Sequence, residues 1–321
     1  ESIDELAIAT RANGRAKRTI DSLRDKLNPL VDFLGDVPVH TVTVSDLRRY
    51  VADLFDKVAV YSNHPTHQEA ERSLSPFTIA GRVRAFKQLF NWLEVEGIIK
   101  ENPSRRIETP NPKRKEPKGI STEDFLTLLK TTEAGEVIDI RDRAIMMFLY
   151  DTGCRAGGLC GLRIEDLNFD ELLATVTEKG NRTRLVPFSE PTAEALQDWF
   201  EVRPRDRGPW VFVGLAGHSK GALTPNSLCQ MLTRRAADAG VTGPVNPHSF
   251  RHAFARNFLM DGGDLATLAK LLGNSIEVVV KYYAIFTVKE LQKQHKKHSQ
   301  LLKALGESDD GKDNGRESND V

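Results

Sequence analysis

Apolar residues return at helical spacing along much of the chain. Residues 17–34 carry Ile20, Leu23, Leu27, Leu30, Val31 and Leu34 in that rhythm, interrupted by Pro29. Ser45 reads as the N-cap of a second helix through Leu47, Tyr50, Val51, Leu54 and Phe55. Residues 61–75 are polar and aperiodic, the pattern of a loop. Ser75 then caps a third helix, with Pro76 at its first position and Gly97 at its stop. The apolar side of that helix is Ile79, Val83, Phe86, Leu89, Phe90 and Leu93. Residues 1–107 thus predict a small all-helical domain, and by themselves fit a helical bundle of any purpose.

The rhythm stops at ETPNPKRKEPK, residues 108–118, where three prolines and four basic residues exclude a core helix or strand. This stretch predicts a stiff linker that reaches roughly 35 Å when extended. Residues 119–306 predict a second domain. Ser121 and Asp124 form a capping box ahead of Phe125, Leu128 and Leu129. A strongly apolar helix over 140–151 ends at Thr152-Gly153, and Cys154-Arg155-Ala156-Gly157-Gly158-Leu159 follows at once. Arg155 therefore falls at a tight turn between helical segments, where a side chain can be aimed into a cleft. LLATVTE and TRLVPFS alternate instead, joined by Lys179-Gly180-Asn181-Arg182, which predicts a β-hairpin with Lys179 at its lip. Residues 210–213 read as a further short strand, and Thr224-Pro225 opens a helix reaching Ala239. The fold class expected is mainly α with a small β-sheet.

A length of 321 residues suits two ordinary domains, and 40% hydrophobic with 28% charged residues describes a soluble globular chain. Cys154, Cys160 and Cys229 are too few and too irregular for a disulfide framework or a zinc knuckle, which points to reduced thiols in the cytoplasm. No apolar run approaches the ~20 residues of a membrane span, and no signal peptide is evident, although the first residue is Glu1. Formal net charge is zero, yet residues 307–321 hold six acids against two bases and read as a disordered acidic tail. The remainder holds 43 basic against 39 acidic residues, so any nucleic-acid contact has to come from local clusters. Arg82, Arg84 and Lys87 on the third helix and Lys113, Arg114 and Lys115 in the linker are the candidates; the alternative is a solvated surface.

The stretch 246–286 holds the densest chemistry. His248 and Arg251 lie three residues apart near the start of a helix, and Tyr282-Tyr283 arrive on a later one. A guanidinium can grip two phosphate oxygens, an imidazole can handle a proton, and a phenol can attack phosphorus. These residue types in one place suit a phosphodiester.

The order Arg155, Lys179, His248-x-x-Arg251 and a late tyrosine resembles the tyrosine recombinases, the phage integrase family of site-specific DNA recombinases. The resemblance extends over residues 19–305 and includes the T-G-x-R turn, the hairpin lysine, H-x-x-R, L-G-x-S and the tyrosine helix. It implies an N-terminal helical, SAM-like core-binding domain and a mixed α+β catalytic domain. It also implies roles. Arg155 and Arg251 clamp the scissile phosphate, His248 assists proton transfer, and Lys179 protonates the leaving 5′ oxygen. The nucleophile of the family lies nine residues after the His or Trp of L-G-H-S; counting from Asn274 reaches Tyr283 rather than Tyr282. Double-stranded DNA carrying specific sites is the implied partner, with a homotetramer on paired sites and no metal or nucleotide cofactor.

Two positions depart from the family pattern. The acid usually found three residues after the first arginine is Gly158 here, and Asn274 replaces His or Trp. Asparagine keeps a neutral donor but offers no imidazolium charge. A type IB topoisomerase-like enzyme and a non-catalytic DNA-binding relative are the competing readings. Beyond Tyr283 lies an amphipathic segment with Val288, Leu291, Leu301, Leu302 and Leu305, and the family resemblance implies that it docks on a neighbouring protomer, the alternative being a return onto its own domain.

Overall fold

The computed structural model describes residues 1–60, 71–113, 118–178, 182–215, 221–284 and 288–304. The chain divides into two compact units, Glu1–Lys115 and Glu116–Val321.

The first unit packs α1 (Ser2–Ala12), α2 (Lys17–Leu34), α3 (Val44–Asp56) and α4 (Pro76–Val95) around one core. The α4 helix starts as its sequence requires: the Ser75 side chain accepts from Thr78 N at 3.1 Å, and Pro76 occupies the first turn. Ile79, Val83, Phe86, Phe90 and Leu93 are all buried along one side, each such side chain contributing about 1.5–3 kcal/mol relative to exposure. The N-cap of α3 is Thr43, two residues before the Ser45 expected. Thr43 Oγ1 accepts from Asp46 N while the Asp46 carboxylate accepts from Thr43 N, a reciprocal pair that outcompetes a serine two residues further on. Part of the stretch expected as loop is extended: β1 (Val58–Val60) pairs antiparallel with β2 (Glu71–Ser73). Residues 61–70 lie outside the described residues. Helix α1 had no counterpart in the sequence reading.

The second unit begins with α5 (Thr122–Lys130) and α6 (Val137–Thr152). Ala144, Ile145, Met146, Phe148 and Leu149 of α6 are wholly buried, which explains why its sequence is apolar on nearly every side. A short α7 (Ala156–Cys160) leads to an antiparallel sheet in the order β3 (Leu167–Asn168), β4 (Leu173–Glu178), β5 (Arg182–Pro187). The expected hairpin is present as β4 and β5, with Glu178 opposite Arg182 and Val176 opposite Arg184; its turn, residues 179–181, lies outside the described residues. Ala174 and Val176 face the core from β4, and Val186 faces it from β5. Residues 210–213 are not a strand. They make isolated bridges, Trp210 to Arg163 and Val213 to Ala222, so the apolar run Val211-Phe212-Val213 is a buried extended pass without a partner strand.

Helix α8 (Glu190–Val202), unread in the sequence, packs on α6 and buries Trp199. Then follow α9 (Pro225–Asp238), α10 (Pro247–Met260), α11 (Leu265–Leu272), α12 (Ile276–Tyr283), α13 (Val288–His298) and α14 (Gln300–Ala304). A buried ionic lattice ties α9 to α6: Arg235 donates to Asp139 Oδ1 at 2.7 Å and to Asp142 Oδ2 at 2.9 Å. Mainly helical with small sheets, the chain has the expected fold class. None of its described helices is long and apolar enough to cross a membrane.

Candidate active site

Four helix ends and one hairpin meet around Arg251. Asn246 caps α10, accepting from His248 N at 3.0 Å and Ser249 N at 3.1 Å, and so sets the phase of the helix. That phase turns Arg251 inward, where it is 2% exposed, and leaves His248 at the surface in the first turn. Arg251 donates to Gly153 O at 2.9 Å, to Leu272 O at 2.7 Å and to Tyr283 Oη at 3.3 Å. The first two acceptors are carbonyls at the C-terminal ends of α6 and α11, where no helical N–H remains to satisfy them and the helix dipole favours a cation. One guanidinium thereby fixes two helix ends and a phenol in register.

Tyr283 closes α12, and Val279 four residues earlier shares its buried face. Tyr282 is half-buried beside it with the Lys281 ammonium 5.7 Å from its ring centroid. Tyr283 is bonded to the arginine cluster through Arg251 Nε.

Arg155 is the N-cap of α7, held in extended backbone conformation directly after the end of α6. Its guanidinium pairs with Glu178 and donates to Asn274 Oδ1, yet the side chain remains 33% exposed. Since arginine only donates, the Asn274 oxygen must face it, which leaves the amide N–H groups as that residue's remaining donors. Burial first, then the like charges of Arg251 and Arg184, push Arg155 down to about 10, still fully charged at neutral pH. Arg184, on β5, donates to Leu271 O and through Nε to Glu178 Oε1 at 3.2 Å. Burial also pulls Arg184 and Arg251 below the ordinary arginine range. Three guanidiniums thus share one partly buried region with a single contacting carboxylate among the described residues, Glu178. Such a site favours a bound anion.

Gly273 makes room for this arrangement. Its backbone is left-handed, with φ of 61°, and a Cβ there would meet Arg184 Cδ at 2.9 Å. Gly158 shows the same closeness on the other side. A Cβ at 158 would lie 2.5 Å from Val176 Cγ1 and 3.1 Å from Cys154 Sγ, so the acid usual in the family at this position would have to displace Val176.

The structure brings Arg155, Arg251, Asn274 and Tyr283 together, with His248 exposed at the same end of α10. Lys179 lies outside the described residues, although Glu178 before it is part of the cluster. In the first unit Arg84 is exposed, Lys87 donates to Ile107 O at 2.5 Å, and Arg82 is half-buried with Nη1 enclosed near Tyr50. Lys113 is exposed, while Arg114 and Lys115 lie outside the described residues. Among the described residues no group of three or more His, Cys, Asp and Glu could hold a metal ion.

Three residues of the site were not read from the sequence. Glu178 and Arg184 occupy the inward faces of β4 and β5, in line with Val176 and Val186, so a charged residue at an inward position was the available signal. His252 packs its ring against Tyr283, centroids 4.9 Å apart and planes tilted by 54°. Burial, then the neighbouring His248 and Arg251, press His252 down to about 4, keeping it neutral at pH 7.

The sequence profile of the phage integrase family matches residues 118–288. The tyrosine recombinase XerC of Alcanivorax borkumensis is 30% identical over 271 residues, covering 83% of this chain and 82% of that protein. XerC of Chromobacterium violaceum is 26% identical over 309 residues, 96% of each chain. Among solved structures, the Tn1549 transposon integrase in complex with circular intermediate DNA aligns with a TM-score of 0.69 at 20% identity, over 91% of this chain and 98% of that one. A lambda integrase dimer bound to a COC′ core site aligns with a TM-score of 0.69 at 15% identity, over 88% and 94% of the two chains. At those identities the structural likeness is one of fold.

Proposed function

The chain belongs to the phage integrase family of tyrosine recombinases, enzymes that cleave and rejoin DNA strands, and we propose that it is a site-specific recombinase acting through a 3′-phosphotyrosyl intermediate. The observation that carries this reading is the contact of Arg251 with Tyr283 Oη inside a cluster of three guanidiniums. A nucleophile and the charge that would receive a phosphate occupy one place.

In the first step Tyr283 Oη bonds to phosphorus as the bond to the 5′ oxygen breaks. Arg155 and Arg251 bind the non-bridging oxygens as negative charge builds on them, the contribution that dominates phosphoryl transfer. His248 assists removal of the phenolic proton, and Lys179 returns a proton to the departing 5′ oxygen. Asn274 steadies Arg155 and offers a neutral donor to the phosphate. The phosphotyrosine keeps the energy of the broken bond, so a 5′ hydroxyl from a second strand reverses the step without a nucleotide or metal.

Exposed Arg84 and Lys113, with Lys87, Arg82, Arg114 and Lys115, supply the local positive charge that a near-neutral chain needs to hold duplex DNA. Exchange between sites implies a homotetramer on paired sites in the cytoplasm. The test is a covalent adduct on nicked duplex DNA, mapped by peptide mass spectrometry. Wild-type and Tyr282→Phe protein should yield the adduct on Tyr283, and Tyr283→Phe should bind DNA without forming it. An adduct on Tyr282, or none, overturns the assignment.

A further inference from the structure

We propose that Glu178 is the positioning carboxylate of the phosphate clamp, locking the Arg155 fork in the orientation that receives the scissile phosphate. The inference rests on the reading of Arg155 as a clamp residue given above. It starts from a packing fact. A Cβ at position 158 would lie 2.5 Å from Val176 Cγ1 and 3.1 Å from Cys154 Sγ, so a side chain there would have to displace Val176. The carboxylate that contacts Arg155 comes instead from the end of β4.

Glu178 is only 12% exposed at its side chain and sits between two guanidiniums. Oε2 pairs with Arg155 Nη1, and Oε1 accepts from Arg184 Nε at 3.2 Å. Arg184 is itself anchored to the Leu271 carbonyl and packed over Gly273, so the carboxylate is held from behind by a fixed cation. The register of the hairpin places Glu178 opposite Arg182 and diagonal to Arg184 on the inward face.

Arginine has five N–H donors in a rigid fork. In Arg155 one terminal nitrogen is engaged by Glu178 and the other by Asn274. Each terminal nitrogen carries a second N–H for a phosphate, and the side chain is one third exposed. Without Glu178, Arg155 would face Arg184 and Arg251 with no intervening negative charge, and repulsion would swing its flexible chain toward solvent. The carboxylate acts through Arg155 and need not touch DNA.

The experiment uses full-length protein and a nicked duplex whose sequence is selected from a random pool by binding to that protein. Single-turnover adduct formation and duplex affinity are measured for wild type, Glu178→Gln, Glu178→Ala, Arg155→Ala and the Glu178→Ala/Arg155→Ala double variant. Glu178→Ala should slow adduct formation by roughly 10- to 100-fold, less than the ~10²–10³-fold typical of losing a preorganised donor outright, while affinity changes by less than about threefold. Glu178→Gln keeps the shape and one acceptor, and should fall between wild type and Glu178→Ala. The double variant should be no slower than Arg155→Ala alone, because residues acting as one unit are non-additive. A neutral methylphosphonate at the scissile position should shrink the Glu178→Ala defect, since the clamp then has less charge to bind. Defects that multiply in the double variant would show that Glu178 supports the fold rather than Arg155. Faster cleavage by Glu178→Ala would show that the carboxylate competes with phosphate, which also overturns the proposal. A wild-type protein that forms no adduct removes the clamp reading, and this assignment with it.

Discussion

Arg251 Nε donates to Tyr283 Oη at 3.3 Å, joining residues 32 positions apart in the chain. The same guanidinium holds the carbonyls of Gly153 and Leu272, so its two duties, packing helix ends and addressing the nucleophile, share one side chain. They should separate under mutation. Arg251→Ala should lower cleavage by at least ~10²-fold and also destabilise the protein by about 1–3 kcal/mol, the cost of unpaired buried acceptors. Arg155→Ala, one third exposed with no helix-end carbonyl among its partners, should lose cleavage similarly with a smaller change in thermal midpoint. Equal destabilisation by both variants would show that the two arginines are equally structural.

Gly158 should resist substitution for a reason of space. A methyl group at 158 meets Val176 Cγ1 at 2.5 Å, and overpacking of this kind costs about 1–3 kcal/mol. Gly158→Ala should therefore lower the thermal midpoint. Combining it with Val176→Ala should recover part of the loss, because the second change removes the atom in the way. Strictly additive losses in a double-mutant cycle would mean that α7 and β4 adjust independently of this contact.

The parts of the molecule legible in the sequence are those whose signal is local. The α4 helix declares its cap, its first proline and its buried side within twenty positions, and the structure keeps all three. Pairings across a gap were not legible. The β1–β2 ribbon exists only through partners from residues 58 and 73 inward, and the 210–213 run looks like a strand because burial and strand pairing favour the same apolar residues. The site followed the same rule. Arg155, Arg251 and Tyr283 stand in recognisable local motifs. Glu178, Arg184 and His252 acquire meaning from hairpin register and from what packs against them.

His252 makes the folded protein sensitive to acid. Its imidazole, ordinarily near 6.5, is pressed down to about 4 by burial first, then by His248 and Arg251. Between these values the unfolded chain binds a proton that the folded chain refuses, so stability falls as pH falls through that window. Above the unfolded value nothing is lost. The loss at the acid end should be no more than about 3 kcal/mol from this group. His252→Gln should flatten the pH dependence of the thermal midpoint between pH 6.5 and 4 relative to wild type. An unchanged slope would place the acid sensitivity on other groups.

The last prediction concerns the segment after Tyr283. In the single chain α13 lies on its own α10: Arg256 pairs with Glu290, Gln294 donates to Met260 O at 2.5 Å, and Lys297 donates to Asp261 O at 2.8 Å. These are polar contacts, and pairs near the surface contribute little each. The apolar residues of the segment point elsewhere, with Val288 72%, Leu291 53% and Leu301 68% exposed. Leu302 and Leu305 fall outside the described side chains. A helix with exposed apolar residues among those described is suited to docking on a second copy in a head-to-tail ring, which closes without a two-fold patch. Replacing Val288, Leu291 and Leu301 together by Asp keeps the polar contacts with α10 and removes the apolar face. That variant should bind a single half-site normally but lose higher-order complexes on paired sites in native gels and light scattering. Deleting 307–321 should leave both properties intact, because its composition offers almost nothing apolar to bury. If the triple variant assembles like wild type, the segment is a local brace for α10, and the contacts that build an assembly must be sought on another face.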